Sequence, residues 1–208
     1  MQLSVAVAGF VAEVVAWRLV ARGRASLWVL VVPVIAVLGI VSAIVRPPVA
    51  SGRVSAVAAT AAGVGAGIAL YVGTLAFVSI AARWEPFREH VVDRYRLASE
   101  IPIWLALVLS ALIAAPGEEL FWRGLVQPRL QASMPVLTGP ALAWIGYVIA
   151  NAASGSLPFI AGAAVGGAVW AGLALWTKGV LASALCHAVW TAAMLARPPA
   201  TGREMLHR

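Results

Sequence analysis

Apolar residues fill the chain in long blocks at about 3–20, 27–45, 54–82, 101–117, 137–153, 157–176 and 179–196. A helix needs ~20 such residues to cross ~30 Å of hydrocarbon. The pattern therefore predicts an all-α, polytopic transmembrane helical bundle of about seven spans, within a range of six to eight. The third block is long enough to tilt or to extend beyond the membrane. Breaks fall at Arg22 to Arg24, at Arg46, Pro47 and Pro48, and at Ser154 to Pro158.

One stretch has a different texture. Residues 83–100 hold nine charged or His side chains between two apolar blocks. They read either as an interfacial amphipathic helix, with Trp84, Phe87 and Tyr95 at headgroup level, or as a solvated loop. The chain then divides into N-terminal transmembrane helices (1–82), this segment (83–100), a helical core (101–196) and a polar C-terminal tail (197–208). No internal repeat is visible, which weighs against an inverted-repeat transporter. Gly63 with Gly67, and Gly162 with Gly166, are pairs of small residues at the spacing that lets helix backbones approach closely in lipid.

Composition agrees with the pattern. Hydrophobic residues make up 62%, charged residues 11%, and the mean hydropathy is +0.93. A soluble domain has about 25% charged residues, so a water-soluble α/β enzyme is excluded. The net charge of +7 reads as topology signal and headgroup contact, and no nucleic-acid-binding module is present. Counting Lys and Arg in alternate loops puts Arg18, Arg22, Arg24, Arg83, Arg88, Arg94, Arg96, Arg197, Arg203 and Arg208 on one side. Arg46, Arg53, Arg123, Arg129 and Lys178 fall on the other, which predicts an outside N-terminus and a cytoplasmic C-terminus. Fourteen arginines against one lysine fit a GC-rich bacterial genome, hence an integral protein of a bacterial cytoplasmic membrane. Met1, Gln2 and Leu3 offer no basic leader, so the first block reads as a retained signal-anchor helix. The single Cys186 forms no internal disulfide and reads as a small apolar residue.

Against this background the run Ala115 to Gly124 stands out, because it places Glu118, Glu119 and Arg123 at the end of an apolar block. Ionisable groups at membrane depth cost about 2.5–3.5 kcal/mol each on insertion scales and mark function by default. Glu119 and Arg123 are four residues apart, the helical spacing at which side chains meet. They read as a clamped pair. Glu118 points about 100° away around the helix and is left as the free acid. A carboxyl group deprived of water and of a cationic partner titrates closer to neutrality, as a general base or proton carrier requires. A purely topological, interfacial role for both glutamates is the alternative. His187 lies inside an apolar block with Thr191 one turn later, whereas His90 and His207 fall in polar segments and read as solvated. Asn151 is the strongly polar side chain of the block 137–153.

Glu-Glu-x-x-x-Arg ending an apolar helix, followed by Gly124 and Arg129, then a Gly-rich span and a helix with His187, resembles the CPBP family. This family comprises the CAAX prenyl proteases and bacteriocin-processing (Abi) proteins, and the resemblance covers about residues 101–196. It implies a membrane-embedded endopeptidase in which Glu118 activates a water for attack on a peptide carbonyl. Glu119 and Arg123 would support it and His187 would donate to the oxyanion. The sequence departs from the family pattern twice, with Asn151 where a histidine and Thr191 where an asparagine is expected. Asn151 can orient a water but cannot exchange a proton near pH 7. The expectation is therefore a slow endopeptidase acting on a peptide or membrane-protein substrate, or a noncatalytic relative that binds membrane segments. A small transporter with Glu118 as proton carrier is the third reading. No cofactor is expected: catalytic zinc usually takes three His or carboxylate ligands, and zinc or another divalent metal stays a minor alternative. Beyond substrate and lipid bilayer no partner is implied, and the oligomeric state is left open.

Overall fold

A computed structural model describes residues 1–202. Its apolar helices are α1 (Gln2–Ala21), α2 (Leu27–Val45) and α3 (Ala56–Ala81). A polar helix, α4 (Glu85–Ala98), follows. The remaining ones are α5 (Ile103–Gln131), α6 (Thr138–Ala152), α7 (Leu157–Thr177) and α8 (Leu181–Ala196). The fold is an all-α polytopic bundle, and each of the seven expected apolar blocks is a helix. Among the described residues, five helices are long and apolar enough to cross a membrane; α6 and α8 have 15 and 16 residues. Outward faces are apolar, as with Val7, Val11 and Val15 on α1 and Val37, Ile40 and Ile44 on α2. That is the surface expected of a bundle in lipid. Arg203, His207 and Arg208 lie outside the described residues.

The main departure from expectation concerns α5. The apolar block ends near residue 117, yet the helix runs on through Glu118 and Arg123 to Gln131. Glu118 is fifteen residues beyond Ile103, about 22 Å along a helix of about 43 Å. The glutamates therefore stand at mid-helix, not at its end.

Three stretches widen into turns with i→i+5 hydrogen bonds: Leu27–Val31, Val108–Ala114 and Leu120–Val126. Each ends two residues before a proline, namely Pro33, Pro116 and Pro128. A proline ring lacks an N–H and collides with the carbonyl four residues back, and a wider preceding turn relieves that collision. The two wide turns of α5 bracket Ala115–Glu119, so prolines set the face on which the glutamates emerge.

Close packing depends on glycine at a few points. A Cβ on Gly67 of α3 would lie 2.8 Å from the Cys186 carbonyl oxygen, and one on Gly63 would lie 2.6 Å from that of Ala182. This pair brings α3 and α8 into backbone contact, as its spacing predicts. The second pair serves otherwise: Gly162 and Gly166 make room for the rings of Trp190 and Trp170. Between α7 and α8, Lys178 adopts a left-handed conformation (φ 56°), and a Cβ on Gly179 would lie 2.3 Å from the Ala50 carbonyl oxygen. The turn is thereby locked to the α2–α3 loop through the Val180 and Leu181 amides, which donate to Val49 and Ala50.

Segment 83–100 is a helix over α4, but its aromatic residues divide. Trp84 is exposed, while Phe87, Val91, Tyr95 and Ala98 form the buried face. Phe87 and Tyr95 thus face the bundle and not the headgroups, because α4 covers the ends of other helices. The Tyr95 hydroxyl donates to the Met194 carbonyl of α8 (3.0 Å), the Trp28 indole of α2 donates to the Leu97 carbonyl (3.0 Å), and Phe87 meets Phe77 of α3 edge to face. His90, expected to be solvated, accepts the Leu157 amide at 3.4 Å.

Substituting Gly67→Leu should lower stability by about 1–3 kcal/mol, the usual penalty of overpacking. Gly65→Ala, with open space around it, should leave stability unchanged or slightly raised. Thermal unfolding in detergent compares the two.

Candidate active site

Charged side chains at mid-bundle are tolerated only with partners, and the partners define the site. Arg123 is 3% exposed and Glu119 is fully buried. The guanidinium donates to Glu119 Oε1 (3.1 Å) one turn back on α5 and to the Gly167 carbonyl of α7 (3.0 Å). It also lies over the Tyr147 ring at 4.5 Å, a cation–π contact with α6. The same Glu119 oxygen meets His187 Nδ1 of α8 at 3.1 Å. His187 is stacked on Trp170 of α7, with ring centroids 3.7 Å apart and planes 14° from parallel. One carboxylate thereby joins α5 to α8, and one guanidinium joins α5 to α6 and α7.

Glu118 takes no part in this clamp. Its Oε2 accepts the Tyr147 hydroxyl at 2.6 Å, a partner that sequence reasoning did not assign. The hydrogen bond to His187 falls to Glu119 and not to Glu118. Glu118, Tyr147, Asn151, His187 and Thr191 all line one cavity of about 570 Å³, whose remaining walls are mainly apolar. Glu119 and Arg123 stand behind that wall. Asn151 is 6% exposed, and its Nδ2 donates back to the Tyr147 carbonyl at 3.1 Å. That leaves one amide hydrogen and Oδ1 for a ligand. Thr191 lines the cavity one turn beyond His187. Among the described residues no group of three His, Cys, Asp or Glu side chains is placed to hold a metal ion.

Residues 100–193 match the family model described as Type II CAAX prenyl endopeptidase Rce1-like. The site therefore lies in a stretch similar to CAAX prenyl endopeptidases. Every residue of the clamp, with Glu118, Tyr147, Asn151 and Thr191 of the cavity wall, falls inside that stretch, so the Glu-Glu-x-x-x-Arg resemblance and the geometry concern the same helices. No curated protein and no solved structure matches the chain. The family match, with five helices able to cross a bilayer, makes the chain an integral membrane protein.

Two buried polar residues escaped sequence reasoning. Glu13 of α1, outside the Rce1-like stretch, is 1% exposed and its Oε2 accepts the Trp122 indole N–H at 3.0 Å. Its signal was available, since it is an acid inside the first apolar block. Gln127, 2% exposed, donates to the Ala171 carbonyl of α7 at 3.2 Å, one turn beyond the Arg123 contact.

Arg123→Met should destabilise the protein by about 3–5 kcal/mol, the usual result of leaving one member of a buried pair uncompensated. Adding Glu119→Gln should recover part of the loss. Unfolding curves of the single and double variants measure the coupling.

Proposed function

We propose that this protein is a membrane-embedded endopeptidase of the CAAX-protease type, in which Glu118 activates water for peptide-bond hydrolysis. The observation that carries the reading is the convergence of Glu118, Asn151, His187 and Thr191, from three helices, on one cavity within the bundle. A water beside the Glu118 carboxylate gives up a proton to it while its oxygen attacks the peptide carbonyl carbon. Glu118 then returns the proton to the departing nitrogen as the C–N bond breaks. Tyr147, donating to Oε2, fixes the carboxylate and leaves Oε1 for the water.

The clamp bears on the tautomer of His187. A carboxylate oxygen only accepts, so the Glu119 contact holds a proton on Nδ1. In the neutral ring Nε2 then accepts, which suits a water; donation to an oxyanion requires the doubly protonated ring.

A second reading has its own support. Asn151 stands where the family pattern has a histidine, and half of its amide donor capacity goes to its own helix. A relative that binds membrane segments without cutting them fits that observation. Fourteen arginines against one lysine support a bacterial cytoplasmic membrane as its location.

Glu118→Gln should reduce hydrolysis of a membrane-protein substrate library to background while leaving folding intact. Unchanged turnover would remove Glu118 from the chemistry. Asn151→His should raise turnover by about 10²–10⁴-fold if proton transfer is what the asparagine lacks. Mass spectrometry of the products follows both, and no gain with Asn151→His would favour the binding role.

A further inference from the structure

Glu13 is the buried acid that the hydrolytic scheme does not use. It stands eleven residues beyond Gln2, about 16 Å along a helix of about 30 Å, so α1 carries a carboxyl group at mid-membrane. The residue is 1% exposed and its Oε1 has no partner. An apolar side chain would avoid the cost of desolvating that oxygen. What the acid offers in return is an acceptor at Oε2 for the Trp122 indole N–H, at 3.0 Å. A buried indole nitrogen needs such an acceptor. Glu13 does not border the Glu118 cavity, so any effect it has there passes through Trp122.

Trp122 stands one turn beyond Glu118 on α5 and packs edge to face on Tyr147, with ring centroids 5.7 Å apart and planes at 73°. From α1, Phe10 meets it edge to face at 6.4 Å while Glu13 holds its nitrogen. From α6, Gly146 leaves the space for its ring, since a Cβ there would lie 3.2 Å from Cζ3. Ring packing alone lets an indole pivot in its slot; a directional bond at nitrogen sets the angle. Tyr147 in turn is located by the Arg123 guanidinium at 4.5 Å, by Trp170 at 6.0 Å and by Trp122. Its hydroxyl donates to Glu118 Oε2 at 2.6 Å. Glu13 and Glu118 thus hold one aromatic pair at its two polar atoms, the indole nitrogen and the phenol oxygen.

We propose that Glu13 is a positioning residue for Glu118: by holding the Trp122 indole it keeps the Tyr147 hydroxyl on Oε2 and so leaves Oε1 for the attacking water. This rests on the peptidase reading of Glu118 and adds to it a group from α1, outside the residues matched to the family model.

Infrared spectra of the intact protein in phosphatidylcholine nanodiscs read the carboxyl without catalysis. In each background the Glu118 component is the difference made by adding Glu118→Gln. Glu13→Leu removes the acceptor and should shift that component, as a weakened Tyr147 hydrogen bond does. Trp122→Phe removes the donor but keeps a ring, should shift it in the same direction, and decides the question if Glu13→Leu does not fold. Glu13→Gln retains an acceptor oxygen and should restore the wild-type position. In a Tyr147→Phe background Glu13→Leu should add no further shift, because the phenol is the link. Where cleavage is measured, Glu13→Leu should lower kcat about tenfold or more with KM unchanged, since small misplacements of a reacting group are costly. An unmoved or absent Glu118 component in Glu13→Leu would overturn the proposal. So would a full further shift in the Tyr147→Phe background, or a rise in KM with kcat intact, either of which would leave Glu13 a structural acceptor only. The two readings separate. A Glu13-dependent Glu118 component in a protein that never cleaves retains the coupling and removes the peptidase, whereas Glu118-dependent cleavage with an unmoved component does the reverse.

Discussion

A guanidinium buried at the middle of a lipid-facing bundle must find every one of its partners inside the protein. Arg123 finds them on its own helix at Glu119, on α7 at the Gly167 carbonyl, and on α6 at the Tyr147 ring. Glu119 passes the constraint to α8 by meeting His187. Four helices are thus fixed in register by a single charge whose isolation would be intolerable at that depth. The rest of the site follows. Tyr147, already placed under Arg123, directs its hydroxyl at Glu118, and Trp170 supplies the surface on which His187 lies flat. Glu118 is left beside the cavity, while Oε1 of its neighbour Glu119 is held behind it by Arg123 and His187.

The fold was legible because lipid imposes one rule on every outward residue, and the apolar blocks obey it. Glu119 and Arg123 were legible because their spacing depends only on helix geometry. The length of α5 was not. Glu118, Arg123 and Gln127 interrupt the apolar block but face inward, so hydropathy registers an end where the helix continues. The same blindness affected α4: Phe87 and Tyr95 have headgroup chemistry, and only the ends of α3 and α8 beneath them decide that they turn inward. Convergence of Asn151 and Thr191 on the Glu118 cavity is a tertiary fact with no local signature. The wide turns were available in principle, since each precedes a proline by two residues, but a regular 3.6-residue repeat conceals them.

The α4 helix closes part of a cavity whose acid, Glu118, stands on α5. Glu118, Tyr147, Asn151 and His187 fall within the residues matched to the family model, whereas α4 and the α2 and α3 residues of the lining fall outside them. The two parts of the lining are held together by the contacts of α4 with Trp28, Phe77 and Met194.

The Glu13–Trp122 hydrogen bond has the opposite implication for modularity. A core excised at the family boundary would retain the clamp but would leave the Trp122 indole N–H without its acceptor, next to the Tyr147 ring it packs against. The N-terminal helices are thus no detachable anchor. They complete the hydrogen bonding of the α5–α8 core, and α1 has to be inherited with it.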